Sequence, residues 1–303
     1  MPTRILIDCD PGHDDAIAIL LALASPEVEL VGVTTVSGNQ TLEKTTANAI
    51  RMLELVDRAD VPVAAGADRP LVREQFVAEY VHGKTGLDGP ALEPPRAEPV
   101  AQHAADFLAE RVAGTTLVPT GPLTNVALML ALHPEARPDR IVLMGGAIAE
   151  GNVTPAAEFN IWADPEAARR VFESGIEVTM IGLDVTHRAL MTRRHAETLR
   201  GSGKAGRFVA ELYDFFSGFH ARTYGSEDSP IHDAVAVAHV LREGLVETKH
   251  VRVDVDCSWE LGRGRTYVDL YARTGKEPNT HVGVDVDAEA FFDLLLPRIA
   301  SLG

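Results

Sequence analysis

The amino-acid sequence predicts an α/β fold, with a mostly parallel sheet flanked by helices and a small antiparallel extension near the C-terminal end. From residue 4 to residue 183, strand-like and helix-like segments alternate along the chain. The strand-like segments are near-continuous runs of Val, Ile and Leu, the pattern of parallel strands buried on both faces. After residue 250, short segments alternate apolar and polar residues, as antiparallel strands do. We therefore expect residues 1–303 to form a single domain around a Rossmann-like sheet.

Each apolar run in the first part of the chain is followed by a helical pattern. The predicted strands are Arg4–Asp8, Glu29–Val36, Val61–Ala65, Thr116–Pro119, Arg140–Met144 and Ile176–Leu183. The predicted helices are Asp14–Ala24, Leu42–Val56, Val100–Val112, Leu123–Leu132 and Pro165–Glu173. Residues Asp68 to Glu98 show weak periodicity with several Gly and Pro. We interpret them as a long loop, and loops of that length usually have a function.

Helical periodicity also dominates the segment Arg193–Tyr224, with an interruption at Gly201–Gly206 that we interpret as a turn between two helices. A further helix is predicted before the antiparallel extension, and another closes the chain. These helices are Ala234–Leu241 and Ala288–Ile299, and the strands of the extension are Val251–Cys257, Tyr267–Tyr271 and Val282–Val286. No internal repeat or low-complexity tract interrupts this order.

The composition narrows the range of partners. The formal net charge is −16, from 44 acidic and 28 basic residues, and such a surface repels phosphate backbones, so we expect no nucleic-acid partner. Cys9 and Cys257 are too few for a disulfide scaffold and indicate reduced thiols. We expect no cleavable leader, because a strand is predicted from residue 4, and no apolar run approaches the roughly 18 residues that cross a bilayer. We expect a cytoplasmic protein with no membrane partner.

An acidic string at the end of the first predicted strand is the most informative motif. Asp8, Asp10, Asp14 and Asp15 fall within eight residues, around a turn at Pro11-Gly12. Open α/β sheets bind ligands at the carboxyl ends of their strands. Because four like charges repel one another, a hard cation such as Ca²⁺ or Mg²⁺ would stabilise them. The alternative is that Asp14 and Asp15 only stabilise the positive N-terminus of a helix, while Asp8 faces solvent.

Other polar residues follow the later predicted strands or precede helices. They are Asn39, His82 in the long loop, the turn Pro119–Asn125, Met144, Asn152, Glu158, Phe159, Asn160, His232 and Asp233. Planar amides and carboxylates beside an aromatic ring suit a polyhydroxylated ligand such as a sugar. A carboxylate at Asp233, far along the chain, could close a metal cage, with His232 as a proton donor. Taken singly, each is also compatible with a turn, a helix cap or a solvated loop.

Together these residues resemble the inosine-uridine-preferring nucleoside hydrolase family. The matching segments are Asp8-Cys-Asp10-Pro-Gly-His-Asp14-Asp15, Asn39, Val142-Leu-Met144-Gly-Gly, Glu158-Phe-Asn160 and His232-Asp233. They follow the family's order at similar spacing over nearly the whole chain. The resemblance implies a single α/β domain with bound Ca²⁺ that hydrolyses the N-glycosidic bond of ribonucleosides to ribose and free base. It also implies a homodimer or homotetramer.

The resemblance further implies a role for each matching residue. Calcium ligands would be Asp10, Asp15, Asp233 and the backbone carbonyl of Thr120. Ribose would be bound by Asp14, Asn39, Met144, Asn152, Glu158, Asn160 and Asp233, with Phe159 beside them. Asp10 would be the general base for a calcium-bound water, and His232, with His82 as its loop-borne companion, would protonate the leaving base. A carboxylate environment also stabilises an oxocarbenium-like transition state, which supports these roles independently.

Two other functions were considered from the sequence. A haloacid-dehalogenase-type phosphatase also begins with strand–Asp–x–Asp, but Pro11-Gly12 stands where that motif has a different pattern. A catalytically inactive ribose- or nucleoside-binding protein would not require Asp10 and His232 at general-base and general-acid positions. The sequence leaves open the preference for purine or pyrimidine bases and the tolerance of deoxyribose. It also leaves open the identity of the leaving-group acid and the roles of loops 70–98 and 218–231.

Overall fold

A nine-stranded sheet runs through the computed structural model, which describes residues 1–303. Its strand order is β10-β9-β11-β6-β5-β4-β1-β2-β3, and β7 and β8 form a separate two-stranded sheet. The strands are β1 (Thr3–Cys9), β2 (Val28–Thr35), β3 (Val63–Ala65), β4 (Thr116–Pro119), β5 (Arg140–Met144), β6 (Val178–Ile181), β7 (Leu190–Met191), β8 (Ser229–Pro230), β9 (Val246–Val255), β10 (Thr266–Asp269) and β11 (Thr280–Val286). The six strands β1 to β6 pair in parallel, which confirms the predicted α/β class.

Helices cover both faces of this sheet. They are α1 (His13–Leu23), α2 (Leu42–Leu55), α3 (Glu79–His82), α4 (Ala104–Arg111), α5 (Thr124–Leu132), α6 (Phe159–Ala163), α7 (Pro165–Phe172), α8 (Leu183–Thr186), α9 (Arg193–Arg200), α10 (Lys204–Tyr224), α11 (Asp233–Leu241) and α12 (Ala288–Ala300). None of them combines the length and the hydropathy needed to span a bilayer.

The central strand β1 shows why the strands read as continuous apolar runs. Ile5 and Ile7 belong to a core of 50 buried residues on one side of the sheet. Leu6, between them, belongs to a second core of 25 buried residues on the other side. Successive side chains of a strand point to opposite faces, so a strand covered on both faces must be apolar at every position. This sheet therefore holds the strand ends, and the polar residues that follow them, in fixed positions.

The sequence-based bounds are right for β4 and β5 and are displaced by a few residues elsewhere. Three short helices, α3, α6 and α8, were not predicted, because four or five residues are too few to show a helical period. The strand predicted at Ile176–Leu183 covers only Val178–Ile181, since Gly182 caps α8. The turn predicted at Gly201–Gly206 ends earlier than expected. Helix α10 already begins at Lys204, and Gly206 lies inside it, where a Cβ would meet Leu199 of α9.

The antiparallel extension is part of the main sheet. Strand β9 pairs antiparallel with β10 and β11, as predicted, but β11 also pairs in parallel with β6. Strand β9 begins at Val246, five residues before the predicted start at Val251, because its first residues alternate less regularly between apolar and polar. The extension thus continues the sheet beyond β6.

Candidate active site

The residues predicted to form the site meet at the carboxyl ends of four neighbouring strands. Asp10, Asn39, Thr120 and Met144 follow or end β1, β2, β4 and β5, which are adjacent in the sheet. They adjoin a cavity of ≈320 Å³. Among the predicted residues, those that line this cavity are Asp14, Asn39, His82, Thr120, Met144, Asn152, Glu158, Phe159, Asn160, His232 and Asp233. Asp10 and Asp15 are fully buried and are not part of its lining.

An acidic cluster forms one end of the cavity. Oxygen atoms of Asp14, Asp15 and Asp233 all lie within 4.8 Å of one another, so these three carboxylates could hold a metal ion. Asp14 and Asp15 lie in the first turn of α1, and Asp233 begins α11, so two helix N-termini bring them together. His232 caps α11, which therefore starts one residue before the predicted start at Ala234. Asp14, predicted to bind ribose, belongs to this cluster as closely as the predicted metal ligands do.

Asp15 is held by four hydrogen-bond donors. Thr120 Oγ1 donates to its Oδ1 at 2.8 Å, and Asn39 Nδ2 donates to its Oδ2 at 3.1 Å. The backbone N–H groups of Gly12 and Asp10 also donate to it, at 3.0 and 3.4 Å. The carboxylate is therefore oriented by the turn that precedes α1 and by the ends of two other strands.

The Asp10 side chain fits only because residues 38 and 121, which lie against it, are glycines. A Cβ at Gly38 would lie 2.1 Å from Asp10 Oδ2, and a Cβ at Gly121 would lie 2.6 Å from Asp10 Oδ1. The backbone N–H of Asn39 donates to Oδ2 at 2.6 Å, whereas Oδ1 is buried without any hydrogen-bond partner. A buried carboxylate oxygen without a partner is costly unless a cation or a water binds it.

Asp8 supports the site from below. Thr34 Oγ1 and Asn125 Nδ2 donate to its Oδ1 at 2.6 and 2.8 Å. Asn125 also donates to the carbonyl of Thr35 and accepts from the N–H of Ala67, at 2.9 and 2.8 Å. Because Asp8 is fully buried, the alternative in which it faces solvent is wrong.

The electrostatics of the cluster favour a bound cation. Burial and the charge of Asp15 raise the pKa of Asp10 well above its ordinary value. Burial and the charge of Asp14 do the same to the pKa of Asp233, and burial with Asp15 raises the pKa of Asp14 to about 7. Each of these causes penalises the negative form, and a cation among the carboxylates would remove the penalty. All available ligands are oxygen atoms, which fits a hard divalent ion.

Glu158 and Asn160 form a second group of polar residues in the cavity lining. Glu158 caps α6 and accepts from the backbone N–H groups of Asn160, Ile161 and Gly146, at 2.9, 3.2 and 2.9 Å. Burial nevertheless raises the pKa of Glu158 to about 7. Asn160 Nδ2 donates to the Thr120 carbonyl at 2.7 Å and so orients that predicted metal ligand.

Two histidines, His82 and His232, line the same cavity. Thr186 Oγ1 and His232 Nδ1 lie 2.7 Å apart, which leaves the other ring nitrogen of His232 free of that bond. His82 ends α3 and is buried, rather than lying on a mobile surface loop, with its Nδ1 3.1 Å from His13 Nδ1. Burial lowers the pKa of both His82 and His232 well below the usual value. Both rings are therefore neutral at pH 7 in the free protein, and their predicted role in protonating the leaving base stays a prediction.

An aromatic group in the lining lies partly in the two segments, 70–98 and 218–231, whose roles the sequence left open. Residues 218–224 belong to helix α10, so the loop expected there is wrong for these residues. The helix α10 and its neighbours contribute Tyr80, His187, Phe216, Phe219, His220 and Tyr224 to the lining. His187 contacts His232 with ring centroids 5.6 Å apart. The spacing of residues 216, 219, 220 and 224 is that of one helix face, which was available in the sequence but also fits an ordinary buried face. The cavity thus has an acidic end and an aromatic end.

Comparison with known proteins agrees with this geometry. The model of the "Inosine-uridine preferring nucleoside hydrolase" family matches residues 5–293. The chain is 50% identical to the "Pyrimidine-specific ribonucleoside hydrolase RihA" of Shewanella sp. (strain MR-7), over 99% of this chain and 97% of the relative. It is also 50% identical to the protein of that description from Escherichia coli O9:H4 (strain HS), over 99% of each chain.

Solved structures give the same result. The "Purine-Preferring Ribonucleoside Hydrolase from Gardnerella vaginalis" superposes with a TM-score of 0.93 at 34% identity, covering 99% of each chain. A "Plant nucleoside hydrolase - PpNRh1 enzyme" superposes with a TM-score of 0.94 at 32% identity, covering 99% of this chain and 100% of that one.

Proposed function

The chain belongs to the inosine-uridine preferring nucleoside hydrolase family, and from this premise we propose that it is a calcium-dependent hydrolase of pyrimidine ribonucleosides. The protein is an enzyme that hydrolyses ribonucleosides to ribose and free base. The proposal adds the metal, the residue roles and the base preference to that activity. The two alternatives considered from the sequence lose their basis, because the similarity to nucleoside hydrolases extends over the whole chain.

The observation that carries the metal proposal is the acidic cluster of Asp14, Asp15 and Asp233, beside which Oδ1 of Asp10 is buried without a hydrogen-bond partner. Asp10, Asp15, Asp233 and the Thr120 carbonyl would hold the cation, and Asp14 lies within the same 4.8 Å cluster as two of them. Calcium fits a site of oxygen ligands with flexible geometry. When bound, the ion would neutralise the carboxylates, bind the ribose hydroxyls and make water more acidic.

The residues of the chain then carry the bond changes. The bond between C1′ and the base nitrogen breaks, and charge builds up on C1′ near the carboxylates. The oxygen of a water molecule bonds to C1′, and Asp10 takes one proton from that water. The departing base gains a proton from solvent along a path formed by His82 and His232, whose rings stay neutral between turnovers. Asn39, Asn152, Glu158 and Asn160 would bind the ribose hydroxyls, with Met144 and Phe159 against the sugar.

The base preference is supported by the relatives. Those at 49–50% identity over 99% of this chain are described as pyrimidine-specific, whereas the purine-preferring structure is 34% identical. The aromatic end of the cavity provides apolar rings against which a flat base can stack. We therefore expect uridine and cytidine to be better substrates than inosine or adenosine.

A panel assay tests this proposal. Release of reducing sugar is measured from uridine, cytidine, inosine and adenosine, with added Ca²⁺ and after treatment with a chelator. Asp10→Asn keeps an acceptor for the Asn39 N–H and is expected to lower kcat by roughly 1,000-fold or more, because the proton acceptor is lost. If purified protein with Ca²⁺ cleaves inosine faster than uridine, the base preference is wrong. If chelation leaves the rate unchanged, the metal proposal is wrong.

Three further expectations remain proposals of the same kind. We propose that residues 1–303 are one domain and that the protein forms a homodimer or homotetramer in the cytoplasm. Trp259 and Leu261 are 70% and 92% exposed and offer apolar surface for a subunit contact. The two cysteines are free, which suits a reducing compartment. Size-exclusion chromatography with light scattering checks the assembly, and cell fractionation checks the location.

A further inference from the structure

His220 is a polar residue of the cavity that the proposed chemistry does not use. It lies near the C-terminal end of α10, lines the cavity and is 7% exposed. Neither nitrogen of its ring forms a hydrogen bond with a protein group. Neither is fully buried, unlike Nδ1 of His239, which is buried and has no partner. The fold therefore places a donor and an acceptor beside the substrate without using either of them.

Aromatic neighbours hold the His220 ring in place. Phe216 packs edge-on with ring centroids 4.6 Å apart, and Tyr224 lies at 5.2 Å. Phe219 contacts the ring from another side, at 5.6 Å. The ring position is thus determined by packing, and its hydrogen-bonding capacity is left for a ligand.

The same surroundings determine the state of the ring. Burial lowers the pKa of His220 to about 4, so the imidazole is neutral at pH 7. A neutral imidazole has one N–H donor and one acceptor nitrogen, and the two tautomers exchange these roles. Uracil and cytosine differ in the same way at N3, where uracil carries an N–H donor and cytosine an acceptor.

We propose that His220 is a specificity-determining residue, whose ring hydrogen-bonds N3 of a pyrimidine base and accommodates uracil or cytosine by a change of tautomer. As acceptor the ring nitrogen takes the N3–H of uracil, and as donor it bonds the N3 lone pair of cytosine. His220 belongs to the aromatic part of the lining, on a different helix from the carboxylates that would bind ribose. The inference rests on the proposed function and names the group that selects its substrates.

His220→Phe tests the proposal, because phenylalanine keeps the aromatic packing and removes both nitrogens. The kcat/KM values are measured for uridine, cytidine and 4-nitrophenyl β-D-riboside, which has no pyrimidine edge. We expect the ratio of uridine or cytidine to the nitrophenyl riboside to fall by about 10- to 100-fold, the effect of losing a buried hydrogen bond. His250→Phe, which removes an exposed histidine from β9, is the matched control and should leave this ratio unchanged.

A modified substrate distinguishes base recognition from packing. The wild-type enzyme should discriminate against 3-methyluridine, which lacks the N3–H, and His220→Phe should reduce that discrimination at least tenfold. The proposal is overturned if the variant keeps the discrimination, or if it lowers activity on uridine and on the nitrophenyl riboside by the same factor. A wild-type protein that cleaves the riboside but no ribonucleoside overturns the proposed function instead, and this inference with it.

Discussion

The acidic cluster predicts that one substitution will change the stability of the protein in opposite directions, depending on whether calcium is present. In Asp233→Asn, a neutral side chain of nearly the same shape replaces a carboxylate that lies within 4.8 Å of Asp14 and Asp15. At that distance and an effective dielectric constant of about 20, two unit charges repel by about 3 kcal/mol. Asp233 faces two such neighbours, and the protonation that the raised pKa values of Asp233 and Asp14 imply reduces the full repulsion.

The substitution also has a cost, because a carboxylate at a helix N-terminus contributes about 0.3–1 kcal/mol. Setting this against the repulsion, we expect metal-free Asp233→Asn to be more stable than metal-free wild type by about 2 kcal/mol. For a chain of 303 residues, that raises Tm by roughly 3 °C. With Ca²⁺ in thousandfold excess over Kd, the wild type should gain about 4 kcal/mol, and the variant, which lacks one charged ligand, should gain little.

Thermal unfolding in a chelator and in millimolar Ca²⁺ measures both effects. Asp293→Asn, which removes an exposed carboxylate from α12, is the control for a change in net charge and should show neither effect. The reasoning fails if Asp233→Asn is less stable than wild type in the chelator. It also fails if Ca²⁺ stabilises the two proteins equally, because Asp233 would then not face the ion.

Three other substitutions probe the supports of the site. Asn125→Leu removes the bonds to Asp8, Thr35 and Ala67, and should lower the free energy of unfolding by about 3–5 kcal/mol in urea titrations; a change under 1 kcal/mol contradicts this. Glu158 has a pKa of about 7 in the folded chain against 4.5 ordinarily, so only the folded state holds its proton between these values. Its contribution to stability falls as pH rises, so the free energy of unfolding of wild type should fall by about 2–3 kcal/mol relative to Glu158→Gln between pH 5 and pH 8. If this difference does not change with pH, the carboxylate is already ionised at pH 5 and the reasoning is wrong. Thr186→Val removes the hydroxyl beside His232 Nδ1 and should lower kcat roughly tenfold with KM unchanged in steady-state assays; a rise in KM alone would point to substrate binding instead.

The parts of the fold that could be predicted are those with a strong local signal. Strands β4 and β5 were predicted with their observed bounds, because they are buried on both faces and end at a proline or at a glycine pair. Helix α6 could not be predicted, since it has five residues and begins with a glutamate cap, Glu158, that no common capping pattern contains. The turn at Gly201–Gly206 was extended too far, because glycine marks close packing between helices as often as it marks a helix end.

The same distinction applies to the site. The acidic residues could be found because four carboxylates in eight residues are unfavourable without a partner, which makes the pattern conspicuous. The segment 218–231 could be singled out, but the individual roles of Phe219 and His220 could not be predicted, because an aromatic residue on a long amphipathic helix looks the same whether it faces a core or a cavity. Nor does the sequence show that burial keeps His82 and His232 neutral, since burial depends on residues far away in the chain.

The two ends of the cavity are built on different elements of the fold, and this affects how the substrate preference can change. The acidic end is built on the ends of β1, β2 and β4 and on the N-termini of α1 and α11, and the strands are fixed by a sheet with a core on each face. The aromatic end is built largely on one face of α10. We therefore expect substitutions on α10 to alter the base that is accepted while the carboxylates keep their positions. Substitutions at the strand ends disturb the bond-breaking geometry for every base alike. A set of variants at Phe219 and His220 should accordingly change the ratios of kcat/KM among nucleosides, whereas Asp10 variants should lower all of them together.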